Sequence, residues 1–446
     1  MRLLRGLGAL ILLAASSACV ADRAYRGADR PNGLPNSVLN EQLQTRQFDP
    51  TQSEDPKVLE KPWPYRLTFI EFSDRGEMFD ARQLDRALEE IAAAKRDAAA
   101  RSSAARTLRP VVAVFVHGWK NNASDSSGNV WGFRQVLAGL SLQYSPAPIV
   151  GVYIGWRGAT VSAPFLEEFT FFDRHRRSQS VAVPQMPDAF RRVMQAAKGP
   201  TYEDRSTVSV LVGHSFGGAV LETALTQGLS DEVVTARQQQ RPIRWPADLI
   251  VLLNEAQEAE RSYPFIDTLV ANVTARPPCA APGEERETLR PAVISISSTG
   301  DYATRAFFPA AQLLTRLFHR PSYHGPDPMG VGSATSLYFS TTAHTGALRS
   351  HLLGRADDPQ ILDALKQCNP AVDTTLFDNT ANIHYYIVER PASKNRTPYW
   401  VMHMPPSIVP DHSTIFTPVF RQFLVTLIAQ ALEIGPHDRV LAPAAP

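Results

Sequence analysis

From residue 111 onward, short apolar runs rich in β-branched residues recur between longer mixed stretches. They are VVAVFVHG (111–118), PIVGVYIGW (148–156), TVSVLVGHS (207–215), ADLIVLLNEA (247–256) and AVISISST (292–299). The apolar positions within each run are nearly continuous and do not alternate. Strands of this kind are buried on both faces, as in a parallel sheet covered by helices. YRLTFIEF (65–72) reads as an earlier strand, and the 3–4 spacing of Ala and Leu through residues 79–100 reads as a helix. Further helices are expected at 217–230 and 416–434, the last with a strong apolar stripe. The expected fold class is therefore α/β, with a mostly parallel central sheet and helices on both faces.

Two stretches interrupt this plan. Residues 159–200 carry Phe165, Phe169, Phe171 and Phe172, then Arg174, His175, Arg176 and Arg177. Residues 305–380 make a longer excursion that includes PSYHGPDPMGVGSAT. Insertions at strand ends of such a sheet often shape a pocket, but an aromatic run serves ordinary packing equally well, and both readings stay open. Residues 20–60 are rich in polar residues and proline with weak periodicity. They read as a tether over 19–60 or, in their second half, as an arm packed on the domain, with order beginning near Trp63 and the main domain covering 61–446.

The first residues change the picture. Arg2 and Arg5 precede the apolar GLGALILLAA, and small residues lead to Cys19. The apolar part is too short to span a bilayer, so residues 1–18 read as a cleaved export signal. Ser16-Ser17-Ala18-Cys19 resembles a bacterial lipoprotein processing site, although Ser16 stands where that family usually has Leu. The resemblance implies lipidation of Cys19 and a place in the bacterial cell envelope with the membrane as partner; a plain secreted protein cut nearby is the alternative. Loss of 1–18 removes Arg2 and Arg5 and no acidic residue, leaving 43 basic against 44 acidic residues, so lipid and not charge would hold the chain at a membrane. The whole chain of 446 residues has net charge +1, which gives no reason to expect nucleic acid. Of the three cysteines, Cys279 and Cys368 would remain as a possible disulfide pair, and no Cys/His cluster suggests a metal.

The candidate chemistry centres on Gly213-His214-Ser215-Phe216-Gly217, a G-x-S-x-G pattern between an apolar strand and an apparent helix. A tight strand-to-helix turn lifts such a serine above the sheet edge, and glycines on either side relieve the crowding. VFVHGWKNN followed by GHSFGG resembles the bacterial α/β-hydrolase esterases and lipases over the sheet strands from about residue 110 to the C-terminus. The resemblance implies an α/β-hydrolase fold with Ser215 as nucleophile and no cofactor or metal. It also implies an oxyanion hole from the backbone N–H groups of Phe216 and Trp119, with His117 a structural part of that loop. Asn121 and Asn122 either orient the loop or form a solvated turn.

In that fold the order is serine, acid, histidine. His412, in the loop PPSIVPDHSTIFTPVF before the last helix, is the expected base. His403 and His384 lie within apparent strands, and His319, His324, His344, His351 and His437 lack the expected setting. Asp301 follows AVISISSTG at a strand end and is the favoured acid; Glu255, at the end of LIVLLNEA, is the runner-up. The expected activity is hydrolysis of a carboxylic ester, lipid or small acyl compound, through an acyl-enzyme. An acyltransferase with the same three residues stays open. So does a non-catalytic envelope protein that keeps the fold as a binding module.

Overall fold

The computed structural model describes residues 23–26, 37–39, 65–156 except 105–106, 120 and 125, 178–270 except 179, 290–315, and 337–433 except 379–380, 392 and 394–395. The expected apolar runs form strands β2 (Tyr65–Glu71), β3 (Val111–Val116), β4 (Ile149–Gly155), β5 (Val208–His214), β6 (Leu249–Leu253) and β7 (Val293–Ser298). With β11 (Tyr399–Met404) and the short β1 (Ser37–Leu39) they make one sheet in the order β1-β2-β4-β3-β5-β6-β7-β11. Seven strands are parallel, and β1 pairs antiparallel at the β2 edge.

Alternate residues of each strand supply two separate cores, one per face. Val112, Val114 and Val116 of β3 pack on one side against α1 (Ala81–Arg101), α3 (Met186–Lys198), α4 (Phe216–Gln238) and α5 (Ala259–Val270). Val111, Ala113 and Phe115 pack on the other against α2 (Gly128–Gln143) and α8 (Pro418–Glu433). This is why the strands read as continuous apolar runs. The fold is thus α/β, a mostly parallel sheet with helices on both faces.

Helix α1 shows how local sequence sets an element. Asp80 caps its start by accepting the Arg82 N–H, and Leu84, Ala87, Ile91, Ala94 and Ala98 form its buried stripe. Helix α4 runs to Gln238, well past the expected 230, because Leu229, Val233 and Ala236 continue its buried face.

The insertions resolve differently. Within 159–200, α3 presents Ala189, Phe190, Val193 and Ala197 to the core, whereas the aromatic and arginine run at 165–177 lies outside the described residues. Between α5 and β11 the chain adds α6 (Phe308–Thr315), β8 (His351–Arg355), α7 (Pro359–Leu365), β9 (Pro370–Asp378) and β10 (Ala381–Glu389). Strands β8, β10 and β9 form a second, antiparallel sheet. The excursion therefore runs past residue 380, since β9 has its hairpin partner in β10. Its apolar side, with Leu353, Val372, Leu376 and Ile387, joins the core under α8, and His351 stacks on Trp400 at 4.0 Å.

Order also begins earlier than Trp63. The Tyr25 and Arg26 backbone N–H groups both donate to the Glu71 carboxylate, at 2.6 and 2.7 Å, and the Arg26 guanidinium donates to the Ala123 carbonyl and lies over the Phe69 ring. Burial pushes the Glu71 carboxyl above its ordinary range against these donors. Cys368 is buried and disulfide-bonded. Cys19, Cys279, His319, His324 and His437 lie outside the described residues.

Candidate active site

The chain order sets where the site falls. After β3 the next strand, β4, lies on one side of it, and β5 lies on the other. At such a reversal the loops leaving the carboxyl ends of the two adjacent strands diverge and open a crevice. The loop after β3 holds His117-Gly118-Trp119, and the turn after β5 holds Ser215.

Ser215 joins β5 to α4 with no intervening residue, at φ 57° and ψ −126°. A side chain in that region is strained by about 1–3 kcal/mol and persists only where its surroundings fix it. Here they do. The Ser215 N–H donates to the Leu253 carbonyl at 2.9 Å, and the Ser215 carbonyl accepts from Gly218 at 3.0 Å and Ala256 at 3.3 Å. The glycines are required by close approach. A Cβ on Gly217 would lie 2.3 Å from the Val116 carbonyl oxygen, one on Gly213 2.7 Å from that of Gly217, and one on Gly118 2.6 Å from the Ser215 Cβ.

The last contact sets the loop after β3 directly against Ser215. The Trp119 and Phe216 rings are 6.4 Å apart, so the two expected oxyanion residues are neighbours. His117 is a fixed part of this loop. Its Nε2 accepts the Trp156 N–H at 3.0 Å, its carbonyl accepts the Trp156 indole N–H at 2.8 Å, and burial lowers it to about 4. Asn121 donates to the Trp119 carbonyl at 3.0 Å, so it braces the loop; Asn122 accepts from the Ser124 N–H and makes a local turn.

His412 enters from the loop between β11 and α8. Its Nε2 is 2.7 Å from the Ser215 Oγ and its Nδ1 is 2.8 Å from the Asp301 Oδ2. Asp411 holds this loop by accepting the Ser413 and Thr414 N–H groups, each at 2.8 Å. Asp301 follows β7, and its loop packs so tightly on the His412 loop that a Cβ at Gly300 would lie 2.1 Å from the Pro410 carbonyl oxygen. The Asp301 carboxylate is fully buried and also takes the Thr304 hydroxyl at 2.5 Å and the Thr304 N–H at 3.1 Å. Burial alone would raise its pKa; the charge and hydrogen bond of His412 and the two Thr304 donors outweigh it and hold the carboxyl below its usual range.

Glu255 does not reach His412. It lies against Gly218 and faces Glu222 on α4. Burial and the Glu222 charge push its carboxyl well above the usual range. Glu222 in turn accepts from Gln257, Ser262 and Tyr399 at 2.6, 2.8 and 2.8 Å.

Several residues contribute that sequence reasoning passed over. His214, the variable residue of the glycine–serine motif, is buried and donates its Nε2–H to the His412 carbonyl at 2.8 Å. Burial, with the nearby His412 charge, lowers it to about 3. Asn254, at φ 46°, accepts the Ser298 N–H at 2.8 Å and turns its amide toward the Asp411 and His412 carbonyls at 3.4 Å. It thus ties the ends of β6 and β7 to the His412 loop. The only sequence signal was an asparagine at a strand end. His384 and His403 lie in β10 and β11, within strands as expected.

The arrangement can draw a proton from Ser215 and hold the resulting imidazolium against a buried anion. Among the described residues, no group of three or more His, Cys, Asp or Glu side chains is arranged to hold a metal ion, and no helix is long and apolar enough to cross a membrane.

No family model and no curated protein matches the chain. Among solved structures, the chain is similar to phospholipase PlaB from Legionella pneumophila in complex with thio-NAD, at 12% identity and a TM-score of 0.29. The likeness covers 73% of this chain and 60% of that one, so the chain spans less than two thirds of that protein's length. With a TM-score of that size the likeness bears on neither the site nor the activity.

Proposed function

We propose that this protein is a serine hydrolase that cleaves carboxylic esters through an acyl-enzyme. The observation that carries the reading is the Ser215–His412–Asp301 relay, at 2.7 and 2.8 Å, set on a strained turn at the switch point of the sheet. A binding module has no use for a strained serine aimed at an imidazole whose far nitrogen meets a buried carboxylate.

In the reaction, Ser215 Oγ attacks the ester carbonyl carbon while His412 Nε2 takes its proton. Asp301 keeps Nδ1–H as the donor and balances the imidazolium charge. The backbone N–H groups of Phe216 and Trp119 are the donors for the oxyanion. His412 then passes the proton to the leaving alkoxide oxygen, and the alcohol departs. Water repeats the cycle in reverse and frees the acid. An alcohol in place of water would make the same site an acyltransferase, and partition of the acyl-enzyme between water and added alcohol separates the two.

The test is labelling by a fluorophosphonate together with turnover of a chain-length series of p-nitrophenyl esters. Both should occur in the native protein and vanish in Ser215→Ala. Retained turnover in that variant, or no labelling of the native protein, overturns the reading. The cell-envelope setting rests on the Ser16–Cys19 sequence alone. Mass spectrometry of the native protein should find a lipid on Cys19, and an unmodified soluble N-terminus would remove that part of the proposal.

A further inference from the structure

Behind Asp301 a line of polar side chains continues away from Ser215. The Arg349 Nη1 lies 3.3 Å from the His403 Nδ1, and the His403 Nε2 lies 3.1 Å from the His344 Nδ1. The His344 Nε2 lies 3.0 Å from the Thr304 Oγ, and that hydroxyl lies 2.5 Å from the Asp301 Oδ2. The members come from three separate places in the chain: the segment after β7, the loop before β8, and β11.

The two ends of this line decide its direction. An arginine can only donate, and an ionised carboxylate can only accept. A neutral imidazole donates from one nitrogen and accepts at the other, and a hydroxyl does both. All four bonds can therefore exist together in one arrangement alone. Arg349 donates to His403 Nδ1, His403 Nε2–H donates to His344 Nδ1, His344 Nε2–H donates to Thr304, and Thr304 donates to Asp301. Either histidine in the Nδ1–H form would set two donors or two lone pairs face to face within the part-buried line.

We propose that His344 is a positioning residue for the hydrolytic reaction: held as its Nε2–H tautomer by His403 and Arg349, it fixes the Thr304 hydroxyl as a donor to Asp301 and so aims and steadies the carboxylate that orients His412. The kinetic part of this inference rests on the ester-hydrolase reading; the tautomer part does not.

The surroundings fit. Burial lowers His344 to about 4 and His403 to about 3, and the charges of Arg305 and Arg349 act in the same direction on both rings. Asp301 acts on His344 in the opposite direction, while His412 lowers it further. The Ala343 carbonyl also accepts from the His403 ring, sharing the single Nε2–H with the neighbouring His344, and Arg390 faces Arg349. Both rings are thus neutral at neutral pH, as the line requires. Donors that polarise one another along a chain strengthen the last bond, here the buried one to Asp301.

Two measurements test this. Nitrogen-15 histidine spectra of the native protein should show both His344 and His403 as Nε2–H tautomers, with assignment from loss of each signal in His344→Gln and His403→Gln. Either ring found as Nδ1–H, or charged at pH 7, overturns the proposal whether or not the protein hydrolyses esters. In the kinetics, Thr304→Val and His344→Leu should each lower kcat about fivefold with KM little changed, the worth of one hydrogen bond. Each should move the acid limb of kcat/KM upward by roughly half a pH unit, because Asp301 loses the Thr304 donor or, in His344→Leu, the neighbour that holds that donor in place, and draws the proton on its partner more strongly. The double variant should match Thr304→Val alone, since His344 acts through that hydroxyl. His344→Gln, which can still accept from one side and donate to the other, should restore most of the loss. Additive effects in the double variant, or His344→Gln behaving as His344→Leu, would show that the ring only fills space. If no ester turns over at all, the hydrolase reading fails, and the tautomer spectra still decide the rest.

Discussion

Strand β5 ends in buried charge on both sides, and the two ends are built to opposite purposes. At its amino end, the Lys198 Nζ meets the Asp248 Oδ1 at 2.5 Å, with both side chains 2% exposed. The other Asp248 oxygen takes the Ser209 N–H and hydroxyl at 2.8 and 3.0 Å. Charge there is cancelled on the spot, and the donors and acceptors close on one another. At the carboxyl end, Asp301 pairs with no lysine or arginine among the described residues. Its charge faces an imidazole, whose far nitrogen faces a hydroxyl on a strained backbone. Both clusters hold a fully buried carboxylate and are hydrogen-bonded throughout. The difference is that the second leaves a proton with somewhere to go. Burial of charge is thus no mark of chemistry in itself; what matters is whether the partners complete one another or form a line that ends on a hydroxyl able to give up its proton.

The comparison can be broken from either end. The largest effect is expected at Ser215. Ser215→Ala should cut ester turnover by at least about 1,000-fold while the thermal unfolding midpoint stays level or rises, since a strained catalytic residue is often a stability liability. A steady-state assay beside a melting curve checks both halves, and a large fall in the midpoint would mean that Ser215 is chiefly structural. Asp301→Asn comes next. An amide can donate to His412 Nδ1 and so favours the wrong tautomer, which should cost on the order of 10,000-fold in kcat. A loss of tenfold or less would show that the carboxylate is not needed to orient the base.

At the opposite end, Lys198→Met should leave kcat/KM alone and reduce folding stability by about 3–5 kcal/mol, because Asp248 is left as an unpaired buried charge. Adding Asp248→Asn should recover much of that loss. Urea titrations of the single and double variants measure it, and a change in turnover would mean that the two ends are coupled.

The smallest effect, taken per residue, concerns pH. Burial lowers His117 and His344 from the ordinary 6.5 to about 4, and His214 and His403 to about 3. Between the folded and unfolded values, the unfolded chain binds more protons than the folded one. Stability therefore rises with pH through that window, and it is lost as pH falls from about 6.5 toward 4. The slope should be roughly 1.4 kcal/mol per pH unit for each such ring. Urea midpoints at pH 7, 6 and 5 should fall in that order, and His117→Gln should flatten the trend; equal midpoints would refute it.

Short-range pattern carried much of this protein. The apolar runs specify β2 to β7, because a strand covered on both faces must be apolar at nearly every position. The turn around Ser215 is legible for a similar reason: glycines at 213 and 217 are needed where a backbone passes too close to its neighbours to admit a Cβ. The long excursion was legible only as an interruption. Its strands β8, β9 and β10 carry mixed faces with one side on the core, and their pairing is set by contacts across the hairpin and with α8.

Tertiary structure alone decided which carboxylate meets His412. Asp301 and Glu255 both follow the ends of neighbouring strands and look alike in sequence. Only the packing of the Gly300 loop on Pro410 brings Asp301 to the imidazole, while Glu255 turns toward Glu222. The same holds for His214 and Asn254 on the His412 carbonyl, and for the line from Arg349 through His403 and His344 to Thr304. Periodicity along a chain reports which side of an element faces the core. It holds no record of which polar groups meet when segments 111 or 197 residues apart are folded together. Hydrogen bonds last only within a few tenths of an ångström of their proper length, so that pairing is fixed by the packed whole and not by any stretch of the sequence.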